Sequence, residues 1–194
     1  IEEVPDNTPR FSYDANGEVF ILPEEARTNE VVNPTDLTAW GVHGSATVTT
    51  DVESGVRSAV EADRLECNTT GSFNGRVTYT FTKVNSIFTV SSDVKAGTTD
   101  WLHITMTMTN GVARRVWFNV ATGAIGTNTT ASAGGGTLLK HAIERAPNGY
   151  WRCIVSVDPG VEDAANFFIQ PVNGDGTVSC DAGNNIIHAF SQLE

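Results

Sequence analysis

RVTYTFTKV, residues 76–84, and WLHITMTMT, residues 101–109, are the stretches whose reading decides the fold. In both, apolar and polar residues alternate with a period of two, the repeat of a strand with one buried face. In the first, Val77, Tyr79 and Phe81 share one face and Thr78, Thr80 and Thr82 the other. In the second, Leu102, Ile104, Met106 and Met108 form the expected core face, which leaves Trp101 and His103 on the face turned away from the core. Long helical periodicity is absent.

Working outward, further strands are expected at residues 45–51, 87–94, 114–120, 138–144, 151–157, 166–171 and 186–191. Asn110-Gly111, Asn148-Gly149, Asn173-Gly174 and Asp175-Gly176 supply residues that accept the positive φ of tight turns. The glycine tract at residues 133–136 is a poor candidate for regular structure. Nine or ten strands in one chain imply two packed antiparallel sheets with jelly-roll or Greek-key connections. Residues 1–36 differ: they hold four of the seven prolines and read as an extended N-terminal arm that packs on a sheet or on a neighbouring protein. The globular module is then residues 37–194.

Length allows one all-β domain with an extension or two small domains, with core enough to dispense with metal or disulfide. Twenty-three acidic against twelve basic residues give a net charge of −11. Nucleic acid, whose binding rests on Lys and Arg displacing counterions, is therefore excluded as an expected partner, and so is an anionic membrane surface. No apolar run approaches a membrane span, so no insertion is expected. Cys67, Cys153 and Cys180 are odd in number and form no C-x-x-C pair. They read as buried thiols; a single disulfide stays open, with no choice of partners.

The two ends of the chain carry a resemblance. PRFSYDANGEVFILPEEARTN at residues 9–29 resembles the "PRFDYDP…GLLIEEARTNLL" opening of a lectin-like jelly-roll module of bacteriophage head-spike and tail-fibre proteins, and FSQLE at residues 190–194 resembles its "GAQLE" close. Between them, residues 33–49 are similar to "SEDFSNAAWTKSGVTVT", with Trp40 in the place of its tryptophan. Residues 88–106 are similar to "YTFSVYAKAG…WVRLRL", WFNVATGAIGT at 117–127 to "YFNLATGAVGT", and residues 146–157 to "VGNGWYRCSIT". The sequence departs from the pattern at SSDV, residues 91–94, where the family has "VYAK", and in HAFSQLE, which lacks the usual tryptophan. The resemblance implies an all-β sandwich with jelly-roll topology behind an N-terminal arm. It also implies a virion-surface spike or fibre protein, extracellular and homo-oligomeric, with a trimer as the expectation. Its partners would be host-surface polysaccharide and, through the arm, other virion proteins.

Catalysis is not expected. The four histidines are scattered, no G-x-S-x-G elbow exists, and a carboxyl pair cannot be recognised without its separation. No cofactor is expected either. Asp175 and Asp181, with loop carbonyls, are the candidate ligands of a structural Ca²⁺ of the kind such jelly rolls hold, although the full calcium-loop pattern is missing. Sugar binding is the sharpest hypothesis, because pyranose C–H faces stack on exposed aromatics while polar side chains bond the hydroxyls. Trp40 on a rim loop, Trp101 on the non-core face of its strand and Trp117 are the candidate platforms. Arg114 and Arg115 are a candidate clamp for a carboxylate or sulfate of an acidic polysaccharide, or for a neighbouring subunit's carboxyl. A purely structural decoration or adaptor role is the alternative, and it predicts buried tryptophans.

Overall fold

The computed structural model describes residues 10–13, 19–22, 29–56, 61–83, 86–111, 113–130, 136–160 and 163–194. Much of the opening signature and residues 133–135 of the glycine tract lie outside them. The strands are β1 Arg10–Tyr13, β2 Val19–Leu22, β3 Gly41–His43, β4 Ala46–Ser54, β5 Glu61–Cys67, β6 Gly71–Ser72, β7 Arg76–Lys83, β8 Phe88–Ala96, β9 Trp101–Met108, β10 Ala113–Asn119, β11 Ala124–Thr130, β12 Thr137–Arg145, β13 Trp151–Asp158, β14 Ala164–Val172, β15 Ser179–Cys180 and β16 Asn185–Leu193. Two six-stranded antiparallel sheets result, one in the order β11-β10-β9-β14-β7-β3 and the other β12-β13-β8-β16-β5-β4. Their inner strands, β7-β14-β9-β10 and β5-β16-β8-β13, follow the path of a jelly roll. The expected all-β antiparallel sandwich is the fold observed.

Period-two alternation builds the core. Val77, Leu102, Ile104 and Met106 are fully buried, facing Phe88, Val90, Val155, Val157, Leu65 and Ile186 of the other sheet. Burial of each such side chain contributes about 1.5–3 kcal/mol. Pro171 lies in β14, an interior strand, without breaking it. Its pairing with β7 ends at Ile169, so the missing N–H falls beyond that ladder, while β9 still pairs it through Leu102. Residues 29–36, read from sequence as the end of the arm, run along β16. The Glu30 N–H donates to the Leu193 carbonyl, the Ser191 N–H donates to Pro34, and Val31 enters the core.

Residues 91–94 and 188–194 both fall in the second sheet, and they meet. Ser92 and Ser191 are cross-strand neighbours whose hydroxyls bond at 2.7 Å, and Ser191 also bonds His188 Nε2 at 2.8 Å. Asp93, fully buried on the other side of β8, takes a two-pronged bond from Arg152 at 2.8 and 2.9 Å. The polar side chains of Ser92, Asp93 and Ser191 thus have partners within the sheet.

Of the three cysteines, Cys67 and Cys180 are neighbours: the Cys67 thiol lies 3.7 Å from the Cys180 carbonyl oxygen, and burial followed by hydrogen bonding to Cys67 pushes the Cys180 thiol up. Cys153 is enclosed in the main core. Oxidation with glutathione disulfide is therefore expected to join Cys67 to Cys180 and leave Cys153 free. Peptide mapping that found Cys153 in the crosslink would refute this assignment.

Candidate functional site

The face of the first sheet turned away from the core is roofed. By register, Trp117, His103 and Gln170 form one cross-strand row and Arg115, Thr105 and Phe168 the next, and all six are buried. The roof is the segment 173–184 with β6. The Trp117 indole N–H donates to the Thr177 carbonyl, and the Gln170 amide and the Phe73 N–H both donate to Val178. The sequence places His103 correctly on the non-core face, but that face does not look onto solvent, because residues some 70 positions further along the chain cover it.

A hydrogen-bonded chain runs under the roof: Arg115 Nε donates to Thr105 Oγ1 at 2.9 Å, and that hydroxyl is bonded to His103 Nδ1 at 3.0 Å. His103 Nε2 and Gln170 Oε1 are buried and bond no described residue. Burial first, then the Arg115 charge, push His103 well below its ordinary range.

At the end of this face the roof stops short and leaves a cleft of about 430 Å³ lined by Thr98, Thr99, Asp100, Trp101, Asn173, Asp181 and Asn184. Trp101 is half-buried at its side. Gly126 makes that position possible, since a Cβ there would lie 2.6 Å from Trp101 Cζ3 and 2.3 Å from Asp175 Oδ1. Asp175 ties the roof to β11 by accepting from the Thr127 N–H and hydroxyl at 2.6 and 3.0 Å. Asn173 Oδ1 accepts from the Asp181 N–H and from Asn184 Nδ2, both at 2.9 Å, which leaves the Asn173 amide nitrogen as a donor. Thr98 and Thr99 donate their hydroxyls to the Gly183 and Val172 carbonyls and so fix the cleft floor. The Asp100 and Asp181 carboxylates are exposed and accept no hydrogen bond from any described residue. Acceptors and a donor beside one indole ring can bond the hydroxyls of a stacked sugar.

A second recess of about 430 Å³ is lined by Thr35, Thr38, Thr50, Asp36, Asp51, Glu61 and Asp63. Glu61 shares a hydrogen bond with Asp51, which raises its carboxyl. With no aromatic ring, it offers no stacking surface.

The other candidate residues are not in the cleft. Trp40 is 5% exposed: its indole turns inward from the end of a 3-10 turn and packs on Phe167, Tyr79 and His188 at 5.3, 5.4 and 5.7 Å. Trp117 is sealed beneath the roof. Arg114 and Arg115, adjacent in sequence, point to opposite faces as strand geometry demands. Arg114 bonds the carbonyls of Ala113 and Gly136, whereas Arg115 joins the row under the roof. They form no clamp. Of the two metal candidates, Asp175 is engaged by Thr127 and Asp181 lines the cleft; among the described residues no cluster of three or more His, Cys, Asp or Glu gathers around either. Asp100, Asn173 and Asn184 were missed, although Asp100 directly precedes Trp101 and Asn173 opens the turn-rich run 173–176.

No family model matches the chain, and no curated protein matches it. Among solved structures it is similar, at 9% identity and a TM-score of 0.35, to a glycoside hydrolase family 43 arabinoxylan arabinofuranohydrolase from Bacillus subtilis, crystallised in complex with cellotetraose. That match covers 95% of this chain and 33% of the other, so the chain spans about a third of that protein's length. At such a score the likeness informs neither fold nor site.

Proposed function

We propose that this is a non-catalytic carbohydrate-binding module of a virion-surface spike or fibre, attaching to host-surface polysaccharide through the Trp101 cleft. The observation that carries the reading is the half-exposed Trp101, a stacking ring beside the Asp100 and Asp181 carboxylates, which bond no described residue, and beside the amide nitrogen of Asn173. Both carboxylates are exposed, whereas glycoside cleavage by paired carboxyls relies on one held protonated by burial. The phage assignment rests on the resemblance of residues 9–29 and 190–194, and anchoring through the arm rests on the same stretch. Weak single contacts multiplied over many copies give firm attachment without a deep pocket. Burial of Trp40 and Trp117 favours the second reading, a structural decoration protein that touches no sugar.

Purified capsular and O-antigen polysaccharides, offered to the protein displayed on beads, separate the two. Trp101→Ala is expected to lower apparent affinity for the retained glycan by about tenfold, the loss of roughly 1.4 kcal/mol of stacking. Folded wild-type protein that retains none of the panel assigns the chain to the structural role.

A further inference from the structure

Arg76 and Arg115 reach the same aromatic ring from two strands. The guanidinium carbons lie 5.8 and 5.0 Å from the centre of the Phe73 ring; Arg76 also lies 4.9 Å from Phe168, and Arg115 5.5 Å from Trp117. Arg115 is 8% exposed and Arg76 is half-buried. Neither forms an ion pair with a carboxylate of any described residue, on a chain that carries eleven more acidic than basic charges. Burial lowers both guanidiniums from their ordinary value, and the charge of Arg76 lowers Arg115 further.

A buried cation is ordinarily matched by an anion, and aromatic faces offset only part of its lost hydration. Here two like charges are brought together and left unmatched. Their stems are fixed: Arg115 Nε donates to Thr105, and Arg76 Nε is enclosed. The terminal nitrogens bond no described residue and are not wholly enclosed, so they keep a path to an incoming group beside Phe73. Phe73 itself is held at φ 57°, a left-handed conformation that a bulky side chain adopts only under constraint and that recurs at ligand clamps. Such a pair of planar donor forks fits an oxyanion.

We infer that Arg76, Arg115 and Phe73 form an anion-recognition site for the carboxylate or sulfate groups of an acidic polysaccharide, separate from the Trp101 cleft. The inference deepens the proposed attachment function and rests on it for the identity of the polymer. Since the cleft carries Asp100 and Asp181, anionic sugar residues are directed to the arginines and neutral ones to the cleft.

Bead-displayed protein challenged with polygalacturonate, dextran sulfate and neutral dextran tests it. Wild type is expected to retain at least one of the polyanions at low salt and release it as sodium chloride rises; which one is retained distinguishes carboxylate from sulfate. Arg76→Gln, whose side chain makes no hydrogen bond to lose, should weaken that retention roughly tenfold, and Arg115→Gln at least as much. Trp101→Ala should leave polyanion retention intact. Polyanion binding absent from wild type, or unchanged in Arg76→Gln, overturns the site even where neutral-glycan binding through Trp101 survives. A change of oligomeric state in Arg76→Gln on analytical ultracentrifugation, without polyanion binding, gives the arginines to a neighbouring copy and overturns it as well. Loss of neutral-glycan binding alone defeats only the cleft.

Discussion

Arg152→Ala will destabilise the sandwich by about 3–5 kcal/mol, the typical result of stranding a buried charge. Asp93 is fully buried, and its carboxylate is held by both prongs of the Arg152 guanidinium, whose side chain is 40% exposed. Asp93 bonding in turn raises Arg152 above its ordinary value. The two halves of the pair are therefore unequal. Removing Arg152 leaves a carboxylate with no access to water, whereas Asp93→Ala leaves a cation that can rehydrate. Urea unfolding should rank Arg152→Ala as the worst single change, with the double variant Asp93→Ala/Arg152→Ala recovering part of the loss. Equal costs for the two single variants would mean that the pair is not asymmetrically buried.

Stability will also fall steeply in mild acid. His103 and His188 are fully buried and neutral; burial pushes His103 well down and His188 down to about 3. Below about pH 6.5 the unfolded chain protonates both while the native chain does not, so the unfolded state binds more protons and stability drops as pH falls. His188 contributes a loss of about 3 kcal/mol between pH 7 and pH 4, at roughly 1.4 kcal/mol per pH unit, and His103 adds to it in the same direction. Glu53 adds to the loss at the acid end: burial raises its carboxyl, but hydrogen bonds from Lys95 and Tyr150 outweigh that and hold it below the usual range. Asp63, raised by burial, acts in the opposite direction near pH 4–5. Denaturant midpoints at pH 7, 5 and 4 measure the slope. His188→Gln, whose amide can still bond Ser191, should make it shallower. A flat profile in the wild type would show that the histidines are hydrated.

The core was legible in the sequence because alternation is a local signal. Residues 76–83 and 101–108 are strands whose apolar faces turn to the core as read, fully buried at Val77, Leu102, Ile104 and Met106 and half-buried at Tyr79 and Phe81. β5 escaped notice because Glu61, Asp63, Arg64 and Glu66 are poor strand formers; only pairing on both sides by β4 and β16 makes the segment a strand. The site was less legible. Trp101 could be placed on the right face, but whether that face meets solvent depends on residues 173–184, whose glycines and asparagines announce turns and not their destination. Adjacent arginines in sequence looked like a pair, while the two that converge, Arg76 and Arg115, lie on strands separated by β9 and β14.

The place of β16 bears on how the protein is made. It is the last of the described strands in sequence, yet it lies in the interior of its sheet, between β8 and β5. Until it emerges from the ribosome, those two strands have no shared neighbour and each offers an open edge to other nascent chains. At about 5–20 residues per second, more than a hundred residues separating β5 from β16 leave those edges unsatisfied for several seconds. Closure of the sheet thus lags well behind the synthesis of β5 and β8, and slow translation or crowded polysomes should lower the yield of folded protein more than its thermodynamic stability suggests.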